Sequence, residues 1–465
     1  MTNINSRYAY SRYIDLYKLA FFITQRDYKS YIINIGPPNK KLLQEYSRPF
    51  NIINISHEPL DDGQEGAHIE NIYTDYVKFP TIHQDILKRS VVIATGLFSE
   101  GNKNSTYLKY LRHLAKTVDY MIVAEQEEIA IEGFRPSHQI DYKKLVSITK
   151  KYLYTGGCFG WTKSDSITKD SFVALCGNAV RSPKNLSLPK KTLLVIMTAY
   201  NEVDIIEQSI RHAVDQGADI HVVDNWSDDG TYETIQKLKN KFGAKITCER
   251  FPEKKPTTHV YKWADLLARV GVIAEKSGYD WIMHNDADEL RIAPWKEVSF
   301  VDAVSYVDSL GYTAIDLTVA DFRPTTEGFS VNTDPENFFT HFELLDKGGY
   351  FTQIKCWKNV GKVDLVRTGG HHAEFENQRI YPIKFFTKHY PIRSSAQGNK
   401  KIFAERKENF DPQEKKRGWH IQYDQYDAEQ SFVWSPDELY AFKDGEFWEK
   451  LFIERISGIG IRAED

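Results

Sequence analysis

The sequence predicts an α/β protein, built as two α/β domains in tandem. Three observations carry that expectation: strand-sized apolar runs alternate with amphipathic stretches in both halves, a polar stretch with two prolines divides the halves, and acidic or polar clusters follow directly on successive strands of the second half.

Length supports the division, because 465 residues exceed what one hydrophobic core ordinarily serves. Hydrophobic residues at 41% and charged residues at 27% are the balance of a chain that folds, and they exclude a disordered one. A net charge of −4 gives no general attraction to polyanions, so no nucleic acid is expected as a partner. Tyr, Phe and Trp together make 13% of the chain, enough both for cores and for rings that stack on sugar faces. Cys158, Cys176, Cys248 and Cys356 lie far apart without a C-x-x-C pair, which argues against a disulfide framework and a zinc site. The chain opens on no charged-then-apolar leader, and its longest apolar runs, such as 193–197, fall far below the ~20 residues that cross a bilayer. The expected location is the cytoplasm, with no transmembrane segment; peripheral work at the inner face of the membrane stays open.

In the first half, 31–35, 51–55, 90–94 and 120–124 read as strands between helices, and 152–176 reads as an antiparallel pair around Gly156 and Gly157. The polar stretch 181–191 (RSPKNLSLPKK) is a linker, which places the domains at 1–183 and 192–465. The second domain opens with a buried strand at 193–198, a helix at 202–216, a strand at 221–224 and a helix at 230–242. In such a βαβα unit the loops at the carboxyl ends of the parallel strands are where ligands bind. A third helix, 261–277, leads to a strand at 281–284 and directly into Asn285-Asp286-Ala287-Asp288-Glu289. Beyond residue 312 the pattern becomes β-like and irregular, and the last thirty residues read as a helical tail rich in Trp and Phe.

Asp286 and Asp288 are the strongest chemical signal. Two carboxylates one residue apart, on a turn just past a strand, can face one divalent cation; hard oxygen ligands suit Mn²⁺ or Mg²⁺, and such an ion neutralises a diphosphate leaving group. Alone, the pair would more often be a solvated acidic turn. Two earlier loops change that balance. Thr198-Ala199-Tyr200-Asn201-Glu202 ends one strand and opens a helix, so its backbone and Tyr200 can line a nucleobase pocket. Asp224 ends the next strand, before Asn225-Trp226-Ser227-Asp228-Asp229-Gly230, where its carboxylate can accept the imide N–H of a pyrimidine. Each loop alone is an ordinary helix start.

T-A-Y-N-E, then V-V-D-N-W-S-D-D-G-T, then H-N-D-A-D-E-L resemble the signature segments of family two glycosyltransferases with the GT-A fold, over roughly residues 192–423. The resemblance implies that Ala199, Tyr200, Glu202 and Asp224 hold the nucleotide, that Asp286 and Asp288 hold the metal or diphosphate, and that the sugar is transferred with inversion. Gly369-Gly370-His371-His372-Ala373-Glu374 and Lys388-His389-Tyr390-Pro391-Ile392-Arg393-Ser394 resemble a bacterial branch of the family. A histidine beyond the central sheet often adds a metal ligand in GT-A enzymes, and His389 is the preferred candidate here. His371 and His372, as strand neighbours, point to opposite faces, so at most one can face the site.

Arg393, Lys400, Lys401, Arg406, Lys407, Lys415, Lys416 and Arg417 form a basic stretch. A solvated helix face accounts for most of it, and Arg393, with Lys400 after it, is retained as a diphosphate contact. Inverting transfer needs a carboxylate to take the acceptor's proton; Glu374 and Asp321 are the two candidates. The expected partners are a nucleotide-diphosphate sugar, with a UDP-sugar favoured by Asp224, and a glycan or lipid-linked acceptor of surface polysaccharide synthesis. A bifunctional enzyme that also methylates the glycan, and a non-catalytic carbohydrate-binding scaffold, are the alternatives.

Residues 8–180 resemble a class I methyltransferase fold through Ile33-Asn34-Ile35-Gly36-Pro37-Pro38, Val91-Val92-Ile93-Ala94-Thr95-Gly96-Leu97 and Gly160-Trp161-Thr162-Lys163-Ser164-Asp165. Pro37 and Pro38 stand where the cofactor loop needs flexibility and N–H donors. Ser56 and His57 stand where an acid should end the second strand, with Glu58 only nearby, and Asp75 is the remaining candidate for an adenine contact. A degenerate domain used for packing or partner binding is the expectation.

Overall fold

The structure is a computed structural model describing residues 20, 23, 29–36, 51–56, 69–73, 80–95, 106–126, 153, 155–161, 171–257, 260–343, 353–407, 409–416, 419, 424, 426–427 and 430–442. The chain divides into two compact units, one comprising Met1–Ser182 with Asp444–Asp465 and the other Pro183–Lys443.

The first unit holds β1 (Tyr31–Ile35), β2 (Asn51–Ser56), β3 (Ile69–Tyr73), α1 (Gln84–Lys88), β4 (Ser90–Thr95), α2 (Thr106–Thr117), β5 (Tyr120–Gln126), β6 (Thr155–Trp161) and β7 (Ser171–Cys176). They form one sheet in the order β3-β2-β1-β4-β5-β7-β6. The first five strands are parallel, and β7 is antiparallel to both β5 and β6. The four strands expected from the apolar runs, β1, β2, β4 and β5, lie together within this sheet. Ile33, Ile35, Val92, Ala94, Met121 and Val123 face Leu111, Leu114 and Ala115 of α2 in one core. The strand β3 (IENIY) was not expected, because five residues with two polar ones carry little pattern. Pro37, Pro38, His57, Glu58 and Asp75, the residues bearing on a cofactor site, lie outside the described residues.

The second unit opens with β8 (Leu193–Ala199), α3 (Ile206–Asp215), β9 (Asp219–Asp224), α4 (Thr231–Phe242), β10 (Ile246–Arg250), α5 (Trp263–Lys276) and β11 (Trp281–Asp286). All seven residues of β8 are buried. An unbroken apolar run is what a strand paired on both edges and covered on both faces requires. The order β10-β9-β8-β11 is parallel throughout. Past β11 the sheet becomes mixed, with β15 (Gln353–Lys358) and β13 (Ala314–Arg323) antiparallel in turn. Two further strands serve the site: β12 (Glu289–Ile292) pairs antiparallel with β16 (Ile380–His389), whose other edge runs parallel to β13. The second unit's sheet thus joins a parallel four-strand half to a mixed half. Between β12 and β13 lies α6 (Phe300–Ser309), started by Ser299, whose hydroxyl accepts the Asp302 N–H at 3.1 Å.

Three expectations are corrected here. The helix expected from residue 202 begins at Ile206, because Glu202 and Asp204 are held by Arg393 in the preceding turn. The helix expected from 261 begins at Trp263, because the Tyr261 N–H goes to the Asn409 carbonyl at 2.7 Å. The expected helical tail starts instead as a 3₁₀ turn, Pro436–Glu438, followed by β17 (Tyr440–Ala441), which pairs antiparallel with β14 (His341–Glu343); from 443 onward the tail lies outside the described residues. Among the described residues no helix is long and apolar enough to cross a membrane.

Candidate active site

Register brings the sequence clusters together. Ala199 pairs with Asp224 and Thr198 with Asp286, so β9, β8 and β11 end side by side, and neighbouring strands lie about 4.8 Å apart. Ala199, Asp224 and Asp286 therefore share one edge of the sheet.

The loops that follow β8 and β9 are laced to each other. Asn201 sits at φ 55° and Trp226 at φ 60°, left-handed conformations that non-glycine residues keep only where neighbours enforce them. Asn201 N–H donates to Ser227 Oγ at 3.0 Å, and its own Oδ1 accepts from the Asp228 N–H at 3.0 Å. Trp226 Nε1 donates to the Pro252 carbonyl at 2.7 Å. Asp224 is fully buried; its Oδ2 accepts from the Ser227 N–H at 3.2 Å and faces Arg250 Nε at 3.4 Å. Its Oδ1 is buried with no hydrogen-bond partner among the described residues. Burial pushes the carboxyl up against the pull of Ser227 and Arg250. An orphaned carboxylate oxygen at a strand end wants an N–H donor. Tyr200 packs at the edge of the cluster formed by Leu194, Ile196, Val223 and Tyr261, with the Arg406 guanidinium 5.4 Å from its ring centre.

The acidic turn after β11 is braced from three sides. Ser209 Oγ of α3 donates to the Ala287 carbonyl at 2.6 Å, the Tyr390 N–H donates to the Asp288 carbonyl at 2.9 Å, and Asn285 Nδ2 donates to the Glu289 carbonyl at 3.0 Å. The carboxylates of Asp286 and Asp288 are thus fixed in direction, and each has a cation. Lys355 Nζ, on β15, lies 2.9 Å from Asp286 Oδ2 and 3.3 Å from Glu289 Oε1. Thr198 Oγ1 takes the other Asp286 oxygen at 3.2 Å. Lys401 Nζ lies 2.8 Å from Asp288 Oδ2 and 3.0 Å from Glu202 Oε1. Burial alone would raise both aspartates, but Lys355 holds Asp286 below the carboxylate range and Lys401 with His389 does the same for Asp288.

His389 ends β16 in register with Asp321 of β13 and Glu289 of β12. Its Nδ1 donates to Asp321 Oδ1 at 2.7 Å, which turns Nε2 toward Asp288 Oδ1 at 3.6 Å. Burial would lower its pKa, yet the carboxylates of Asp321 and Asp288 hold it up to about 10. Asp321, expected as a base, has its second oxygen on Arg323 at 2.8 Å and is 1% exposed, so it serves His389. Glu374, the other candidate, is paired with Arg367 and bonded by its backbone to Asp364; no hydrogen bond or ion pair between described residues joins it to Asp286 or Asp288.

Arg393 is fully buried, with its guanidinium on Glu202 at 2.5 Å, on both Asp204 oxygens at 2.8 Å and on the Tyr390 carbonyl at 2.9 Å. It ties the loop after β8 to the chain just past β16, the strand that ends on His389. Of the two lysines that follow, the exposed Lys400 pairs with Glu405, while Lys401 enters the site. Lys401 lies in a π-helical turn, Lys400–Arg406, where Lys401, Ile402, Glu405 and Arg406 are buried; Ile402 is the one apolar residue of these four, so the apolar periodicity that would have marked this face in the sequence is missing. For Lys355 no signal exists either, since a lysine in a strand ordinarily marks a solvated face. Of the paired histidines, His372 turns to Gln378 at 3.1 Å, while His371 Nδ1 lies 3.5 Å from Gln353 on β15. Among the described residues, no three His, Cys, Asp or Glu side chains converge as a ready metal cage.

Residues 194–258 match the family model described as glycosyl transferase family 2. That segment builds β8, α3, β9, α4 and β10, so the glycosyltransferase match falls within the second unit. No curated protein matches the chain. Among solved structures, the chain is similar to a mannosyltransferase from Pyrobaculum calidifontis in complex with GDP-Man and Mn²⁺, at 18% identity and a TM-score of 0.22, covering 30% of this chain and 39% of that one. It is also similar to a SAM dependent methyltransferase from Aquifex aeolicus, at 12% identity, TM-score 0.24, covering 38% and 94%. A third is the Haemonchus contortus phosphoethanolamine N-methyltransferase 1, at 8% identity, TM-score 0.27, covering 63% and 87%.

Proposed function

We propose that the second unit transfers a sugar, with inversion, from a nucleotide-diphosphate donor to a glycan or lipid-linked acceptor of surface polysaccharide synthesis. One observation carries the reading: the orphaned Oδ1 of Asp224 and the braced Asp286–Asp288 turn end neighbouring strands of one sheet. A base hydrogen-bonded at Asp224 would run its diphosphate toward Asp288. A UDP-sugar is the favoured donor, because the Asp224 carboxylate can accept the imide N–H of uracil.

The residues fit a divalent ion. Asp288 Oδ1 and His389 Nε2, 3.6 Å apart, would both reach it once the arriving ion displaces the Nε2 proton, and Asp321 fixes the imidazole as a carboxylate partner does for metal-bound histidines. An oxygen and an imidazole nitrogen favour Mn²⁺ over Mg²⁺, which prefers all-oxygen shells. Bound there, the ion would neutralise charge on the departing diphosphate. Arg393 keeps the nucleotide loop and the His389 strand in place, and Lys355 keeps Asp286 ionised. Glu374 is the better candidate for the acceptor's proton, because its side chain reaches solvent whereas Asp321 is buried behind His389. The first unit is assigned to packing or partner binding, since Pro37 and Pro38 remove donors that S-adenosylmethionine would need.

Calorimetric titration of UDP into the full chain, with Mn²⁺ and with chelator, tests the reading. Binding that strengthens with Mn²⁺ and loses that dependence in Asp288→Ala is expected; UDP binding indifferent to both ion and variant would leave a scaffold.

A further inference from the structure

The carboxylates that would meet a divalent ion already have cationic partners inside the fold, and the partner of Asp288 differs from the others. Lys401 Nζ bridges Asp288 Oδ2 at 2.8 Å and Glu202 Oε1 at 3.0 Å, with its side chain 10% exposed. Arg393 takes the second Glu202 oxygen at 2.5 Å, but its guanidinium is saturated by Asp204 and the Tyr390 carbonyl and is fully buried. Lys401 therefore stands at the junction of the nucleotide loop and the acidic turn, where a diphosphate leading from Asp224 to Asp288 would pass. It has a flexible stem and a compact charge, so it can shift from Glu202 to a phosphate oxygen without moving the backbone.

Its charge acts oppositely on the two ligands. A divalent ion arriving alone at Asp288 Oδ1 meets an ammonium on the same carboxylate, in a site too buried for water to screen the repulsion. A diphosphate is attracted by that ammonium. When both ligands are present, the phosphate oxygens lie between the two cations and remove the repulsion. We propose that Lys401 couples the two ligands, holding off a free divalent ion and drawing in the diphosphate, so that the ion binds firmly only together with the nucleotide. This rests on the donor reading given above. By linkage, each ligand then raises the affinity of the other by the same factor.

Mn²⁺ uptake followed by electron paramagnetic resonance, and binding of UDP, GDP, CDP and dTDP followed by calorimetry, test the coupling on the full chain and on Lys401→Met and Lys401→Arg. In the wild type, the bound nucleotide should tighten Mn²⁺ at least about tenfold. Lys401→Met should bind Mn²⁺ alone about tenfold tighter than the wild type, and the nucleotide alone about tenfold weaker. Lys401→Arg, which keeps the charge, should retain the wild-type coupling. General damage to the site weakens both ligands, so Lys401→Met losing Mn²⁺ and nucleotide alike overturns the proposal, as does a wild type that binds Mn²⁺ equally with and without nucleotide. Wild-type protein that takes up none of the four nucleotides with Mn²⁺ present overturns the donor reading, and the coupling with it.

Discussion

His389 acquires its role from two neighbours that sequence distance hides. Asp321, 68 positions away, accepts its Nδ1 proton and leaves Nε2 aimed at Asp288. The same hydrogen bond removes Asp321 from the list of bases, a distinction between two exposed-looking acids that no local pattern could supply. Asp321→Asn keeps an acceptor but removes the charge that makes the imidazole a strong ligand. Its Mn²⁺ affinity in the presence of UDP should fall by about tenfold to a hundredfold, with metal-free UDP binding unchanged. Glu374→Gln should do the reverse, lowering turnover while leaving both affinities intact; equal loss of Mn²⁺ in the two variants would contradict the assignment.

Elements place these side chains through contacts as specific as the site itself. The turn 368–372 docks on α5: Trp263 Nε1 donates to the Gly369 carbonyl at 2.8 Å, and Gly370 lies at φ 88° against Leu267. A Cβ on Gly370 would stand 2.7 Å from Leu267 Cδ2 and 3.3 Å from Trp263 Cζ2. Gly370→Ala should therefore cost about 1–3 kcal/mol, through backbone strain and overpacking together, and lower the melting temperature by several degrees. Melting unchanged within a degree would mean the turn moves freely on α5. The sequence marked this segment as Gly-Gly-His-His without indicating what it packs on. The long elements were legible: β8, β9 and β11 and the helices between them follow from buried runs and amphipathic spacing. The short strands β3 and β10 and the pairing of β12 with β16 were not, because four or five residues carry too little periodicity and their partners are far away in sequence.

For the whole molecule, proton linkage offers a global test. His212 is half-buried in α3, with Nε2 donating to the Arg291 carbonyl at 2.9 Å. Burial lowers its pKa below the ordinary 6.5. The unfolded chain then binds a proton near pH 6.5 that the folded chain refuses, so this contribution to stability is present above that pH and is lost as the pH falls. His212→Gln keeps a donor and does not titrate. Between about pH 7 and about pH 5 the wild type should lose more melting temperature than the variant; parallel curves would show that His212 titrates normally in the fold.

Sequence by itself determined the two α/β units, the strand ends that carry Ala199, Asp224 and Asp286, and the resemblance to a nucleotide-sugar transferase, because burial periodicity and loop chemistry are local properties of the chain. Only the tertiary structure decided which ion meets which: Lys355 on Asp286, Lys401 and not Lys400 on Asp288, Asp321 behind His389. Those pairings depend on strand register and on the phase of one helical turn, and a single-residue slip in either would exchange every partner.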